Sequence, residues 1–160
     1  MEKPFFRGGL KFECTRCSKC CRFTPGYVFL SSRDLKNISR ILGMSAESVQ
    51  ERYCRVVGIN GFYRLSLKEK SNLDCIFWGD GGCSIYDGRP LQCQSYPFWS
   101  SNLADRETWE AVASSCPGIG RGPNHSADRI SRWIRRRQNE PLIVINGSNK
   151  RCREILQGSS

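Results

Sequence analysis

Four thiols stand within eight residues in Cys14-Thr-Arg-Cys17-Ser-Lys-Cys20-Cys21, and this run constrains the chain more than any other feature. A C-x2-C step in a tight turn aims two thiolates at one point, where an ion takes them about 2.3 Å from each sulfur. Here a second pair follows at once. Four later cysteines, Cys75, Cys83, Cys93 and Cys116, lie in turn-rich sequence and could complete the shells. The total of ten cysteines would equally describe a disulfide framework in a secreted domain. The opening residues, however, lack the apolar stretch of a signal peptide. Neighbouring Cys20 and Cys21 also make a strained mutual bridge. The expectation is a reducing, cytoplasmic setting in which the thiols carry metal.

A chain of 160 residues fits one domain with its own core. No apolar run reaches the length of a membrane span. The formal charge of +10 invites a nucleic-acid partner. That figure counts every cysteine as neutral, and eight thiolates on two divalent ions would remove about four of those charges. Charge alone is therefore a weak argument for a polyanion.

Along the chain, residues 1–13 read as an irregular lead-in, and Arg22-Phe-Thr-Pro-Gly26 as a turn. Tyr27-Val-Phe-Leu30 predicts a short strand. Ser31 or Ser32 caps a helix with the stripe Leu35, Ile38, Ile41 and Leu42, closed by Gly43. Ser45 starts a second helix to about Tyr53. Cys54 at its end, far from any paired cysteine, reads as a small buried hydrophobe rather than a ligand. A strand follows with Phe62, Leu65 and Leu67. Gly79-Asp80-Gly81-Gly82 between apolar runs predicts a hairpin loop with Cys75 and Cys83 at its shoulders, where both thiols can face one ion. Asp74, Asp80 and Asp87 surround those cysteines, and turn formation accounts for Asp80 and Asp87. Arg89-Pro90 opens a short helix bearing Cys93. Thr108 to Ala113 reads as a strand, and Cys116-Pro-Gly as a turn whose open amides suit a thiolate. Ser126 caps a helix with Ile130, Trp133 and Ile134 on one face. Leu142 to Ile145 reads as a buried strand, Asn146-Gly147 as a turn.

The fold expected is a small, loop-rich α+β single domain organised around a cysteine metal cluster. Its parts are a lead-in over 1–13, the metal-binding domain over 14–120, a C-terminal helix and strand over 121–156 packed on that domain, and a disordered tail over 157–160.

The order Cys14-x2-Cys17-x2-Cys20-Cys21, Cys75-x7-Cys83-Ser-Ile-Tyr, Arg89-Pro90-x2-Cys93-x2-Tyr-Pro and Cys116 resembles the YkgJ-type cysteine-cluster family, described as zinc- or iron-chelating. The match covers roughly residues 12–120. By this resemblance Cys14, Cys17, Cys20, Cys21, Cys75, Cys83, Cys93 and Cys116 are the cluster residues. Two positions depart from the family habit: Ser18 stands where Gly is common, and Gln94 where Arg is common. Neither removes a ligand, though each touches the surroundings that tune a metal. Flagellin lysine methylases look similar over such a cluster, which implies a protein-modifying reaction linked to S-adenosylmethionine as an alternative.

Eight cysteines divide into two four-thiolate sites or serve one polynuclear site. A closed thiolate shell means structural zinc, and the same soft ligands hold an iron–sulfur cluster. Two familiar iron–sulfur spacings fail, because Thr24 occupies the place of the last cysteine in both the ferredoxin run and the radical C-x3-C-x2-C motif. An oxidoreductase would need more than ligands. The single histidine, His125, reads as a surface residue in a loop. No phosphate-binding glycine loop or serine elbow is present. Arg129, Arg132, Arg135, Arg136 and Arg137 beside Trp133 could contact phosphates. Set against that is an amphipathic helix with a solvated basic face, the simpler reading.

Overall fold

The computed structural model describes residues 4–146, a mixture of short helices and small antiparallel sheets. In chain order they are β1 (Leu10–Phe12), α1 (Ser32–Leu42), α2 (Ala46–Tyr53), β2 (Cys54–Ile59), β3 (Phe62–Leu67), β4 (Trp78–Gly79), β5 (Gly82–Cys83), α3 (Leu91–Gln94), α4 (Arg106–Ser115), β6 (Ile119–His125), α5 (Ala127–Asn139) and β7 (Val144–Ile145). The α+β class expected from the sequence is present. The residues form two compact units. One takes the chain up to Cys21 together with Ser95–Asn139; the other takes Arg22–Gln94 and the residues from Glu140 on.

In the first unit β1 pairs antiparallel with β6, setting Leu10 opposite His125 and Phe12 opposite Ile119. Phe6, Phe98, Leu103, Trp109 and Ile130 form the core beneath. Two expectations are corrected here. The lead-in is not irregular throughout, since it contains β1, and His125 lies in a strand rather than a loop. Ile119-Gly-Arg-Gly-Pro-Asn-His has no apolar alternation, so only its tertiary partner makes it a strand. Residues Thr108 to Ala113 are helical, not extended. The Asp105 side chain caps α4 by accepting from the Thr108 amide at 2.7 Å, and the helix buries Trp109.

In the second unit β2 and β3 form a hairpin through Asn60-Gly61, both at positive φ (50° and 79°) as a tight primed turn requires. β7 adds to β3 as an edge. That strand is shorter and wetter than expected: only Val144 and Ile145 pair, and Val144 is 50% exposed. The stretch Tyr27 to Leu30 is extended but joins the sheet through one bridge, Phe29 to Ser66. Leu30, Ile38, Val49, Leu65, Leu67, Phe77 and Ile85 make the core, with Cys54 among them. Ile41 of the expected stripe stays 39% exposed.

The cap of α1 reaches beyond its own helix. Ser31 and Asp34 form a reciprocal capping box: the Ser31 Oγ accepts from the Asp34 amide at 3.1 Å, while the Ser31 amide and hydroxyl each donate to Asp34 Oδ2 at 2.9 Å. The other carboxylate oxygen accepts from the Leu91 amide at 2.9 Å, so the buried Asp34 also fixes the start of α3. Gly147 of the expected Asn146-Gly147 turn, Cys152 and the tail lie outside the described residues. No described helix is long and apolar enough to cross a membrane.

Candidate metal centre

The first unit holds five of the eight candidate cysteines. Their positions follow from the β1–β6 ladder. Just beyond Phe12 the Glu13 amide donates to the Gly118 carbonyl at 3.1 Å, which ties the residue before Cys14 to the turn after Cys116. Gly118 is required there, because a Cβ would run into the Glu13 backbone carbonyl.

From Cys14 the loop winds through Arg16 and Ser18, both left-handed at φ 54° and 64°. It closes on a Cys21 amide that donates to the Ser18 carbonyl at 2.9 Å. Glycine would adopt the φ of position 18 without strain. Ser18→Gly is expected to stabilise the chain by about 0.5 kcal/mol, the relief of left-handed strain less the entropy glycine gains when unfolded. A urea melt checks the sign.

Cys14, Cys17 and Cys20 are exposed, Cys21 is half-buried and Cys116 is buried. The Cys20 and Cys21 sulfurs lie 3.8 Å apart. Cys17 and Cys20 are near enough to Cys116 for their charges to raise its pKa, after burial, the largest cause. Against both, hydrogen bonding from the Gly118 and Ile119 amides lowers it. Tyr96 is the tyrosine of the Cys93-x2-Tyr-Pro run. Its phenol is pushed well up by burial, then by the charges of Cys116 and Cys20 and a hydrogen bond with Cys116.

In the second unit, burial pushes the Cys75 thiol up, against hydrogen bonds from the Phe77 and Trp78 amides, and the Cys83 charge raises it further. Cys75 thus repeats the turn at Cys116: in each, the amide three residues on donates to the cysteine's own carbonyl, Trp78 to Cys75 at 2.9 Å and Ile119 to Cys116 at 3.1 Å. Cys83 pairs with Trp78 across the β4–β5 hairpin, whereas Cys75, expected at its other shoulder, stands before β4 and bridges to Glu69. Cys93 is half-buried on α3, the helix whose first amide Asp34 holds. Gln94 donates its side-chain amide to the Arg89 carbonyl at 2.7 Å, closing the same turn. Asp74 is buried and serves structure: its carboxylate accepts from Arg22 Nε at 3.1 Å and Asn72 Nδ2 at 3.0 Å, with Arg22 lying over the Trp78 ring.

Cys54 faces the apolar core, and burial raises its pKa to about 11. Cys54→Ser is expected to cost about 1–2 kcal/mol by placing a hydroxyl among apolar side chains, with metal content unchanged by elemental analysis. His125 is half-buried rather than a surface residue. Its Nε2 lies 2.9 Å from the Phe12 carbonyl, an acceptor, so the proton belongs on Nε2; Nδ1 is buried without a partner.

Among the described residues no three His, Cys, Asp or Glu side chains converge on one point. The thiols approach as pairs and neighbours held in turns. What fits an ion is the donor chemistry: soft sulfur, gathered by short loops and tight backbone turns. Residues 13–117, about two thirds of the chain, match the sequence model of the CxxCxxCC family, described as "Putative zinc- or iron-chelating domain". No solved structure matches the chain.

Proposed function

The chain belongs to the CxxCxxCC family of zinc- or iron-chelating domains, and from that premise we propose that Cys14, Cys17, Cys20, Cys21, Cys75, Cys83, Cys93 and Cys116 are the residues that hold the zinc or iron. The observation that carries this is the repeated turn at Cys75 and Cys116, closed in each case by an amide three residues on that donates to the cysteine's carbonyl, at 2.9 and 3.1 Å, with the turn's amides offsetting part of the upward push of burial on each thiol. Burial keeps each thiol protonated in the absence of an ion, and such donors lessen that cost and would orient the thiolate once an ion is bound. A hydrophobic cysteine has no need of them, and Cys54, in the same protein, has none among the causes of its shift.

Bound zinc or iron would supply cross-links to loops that are otherwise polar and wet. The chain's own part is to present sulfur, to shield Cys116 within the first unit, and to hold the α3 backbone through Asp34 so that Cys93 keeps its place. In a thiolate-only shell zinc stays redox-silent, whereas iron gives a visible charge-transfer absorption, alone or as an iron–sulfur cluster.

Anaerobic purification followed by elemental analysis and a visible spectrum tests the proposal. A stoichiometric amount of zinc in a colourless protein, or of iron in a coloured one, supports it and identifies the metal. Protein that is metal-free yet keeps its full circular dichroism with chelator present overturns it.

A further inference from the structure

We propose that the exposed face of α5 binds the phosphate backbone of nucleic acid, RNA or DNA, without reading its sequence. The helix buries Ile130 completely and rests Trp133 and Ile134 on the first unit's core. On the other side Arg129, Arg132, Arg135 and Arg136 are exposed. Positions 129, 132 and 136 fall in one row, three and four residues apart, and Arg135 lies beside it. Arg129, Arg132 and Arg135 form no ion pair among the described residues, and the Arg136 guanidinium lies 5.6 Å from the centre of the Trp133 ring.

Folding does not account for this row. Like charges three and four apart on a helix repel, and the helix dipole favours cations only in the last turn. The dipole therefore explains Arg136 and Arg137, which are in that turn. It does not explain Arg132, and it opposes Arg129 near the N-terminal end. The turn Phe5–Gly8 packs against α5 and adds the exposed Arg7. Guanidinium forks at this spacing suit phosphate oxygens, each contact releasing a counterion from the polymer.

An anionic membrane is the other polyanion such a face could meet. An interfacial helix, however, inserts an apolar face, and that of α5 is already spent on the core. Among the described residues the large exposed apolar side chains are Phe23, Tyr27, Ile41, Phe62, Leu73 and Val144, none of them on this helix.

The test measures the full chain, as purified, against a fluorescent single-stranded RNA and a DNA duplex by anisotropy over a salt series. The wild type is expected to bind one or both, with affinity falling steeply as salt rises. Combining Arg129→Gln, Arg132→Gln and Arg136→Gln should weaken binding at least tenfold at low salt. It should also flatten the log–log salt slope by about 2–3, near 0.7–0.9 for each phosphate contact removed. Metal content and helical circular dichroism should stay at wild-type values, because glutamine keeps helix propensity. If the triple variant loses its fold, Arg129→Gln and Arg132→Gln are read singly, each flattening the slope by about one contact. Absence of wild-type binding at low salt, an unchanged affinity and slope in the variants, or binding to anionic vesicles without binding to nucleic acid overturns the inference. None of these outcomes bears on the metal.

Discussion

Replacing Cys17 by serine is expected to strip the first unit of bound metal and to lower stability by several kcal/mol, because in small thiolate sites the free energy of metal binding is folding free energy. Cys17 sits on the loop between the two left-handed residues Arg16 and Ser18 and faces solvent. No packing is lost on substitution, so the whole effect must come through the ion. Serine keeps the shape but offers a hard, protonated oxygen in place of a soft thiolate. Elemental analysis and a urea melt, run beside Cys54→Ser, read the two effects apart. Equal metal loss in the two variants would mean that ligand and core cysteines have been confused.

Asp34→Ala is expected to cost about 4 kcal/mol without touching a thiol. The change leaves three buried donors, the Ser31 amide, the Ser31 hydroxyl and the Leu91 amide, without their acceptor. A buried donor deprived of its partner loses about 1–3 kcal/mol. Asp34→Asn retains one acceptor and should fall between. The Leu91 amide gives the variant a second readout: with the start of α3 released, Cys93 should react faster with an alkylating reagent, whereas Cys75 should not. A loss below about 1 kcal/mol would show that other groups or water replace the carboxylate.

Much of the second unit was legible because its signals are local. Ser31 and Gly43 bracket α1, Ser45 caps α2, and the glycines from 79 to 82 mark the β4–β5 turn, each by the chemistry of a few neighbouring residues. The misreadings fall where a distant partner decides. Thr108 and Val112 have the branched side chains of a strand, but the Asp105 cap and the buried Trp109 settle the matter for a helix. β6 has three residues that disfavour strands, Gly120, Gly122 and Pro123, and exists through its pairing with β1. The four thiols of the first motif stand out by spacing alone, whereas the proposed set of eight follows from the resemblance. The turns that hold Cys75 and Cys116 were less plain, since spacing carries no direction, although the Pro-Gly after Cys116 pointed to open backbone there. Tyr96 and Asp34 act across folds of the chain that no sequence window contains.

The tie between Glu13 and Gly118 spans about a hundred residues, most of which belong to the second unit. A growing chain therefore displays its first four thiols on the ribosome well before Cys116 has been made. In that interval the early cysteines compete openly for whatever soft cation or oxidant is at hand, with no buried neighbour to close over them. If these thiols hold the ion as proposed, the order of synthesis makes the amino-terminal motif the first point of capture, and Cys116 the latch that decides whether what was captured stays.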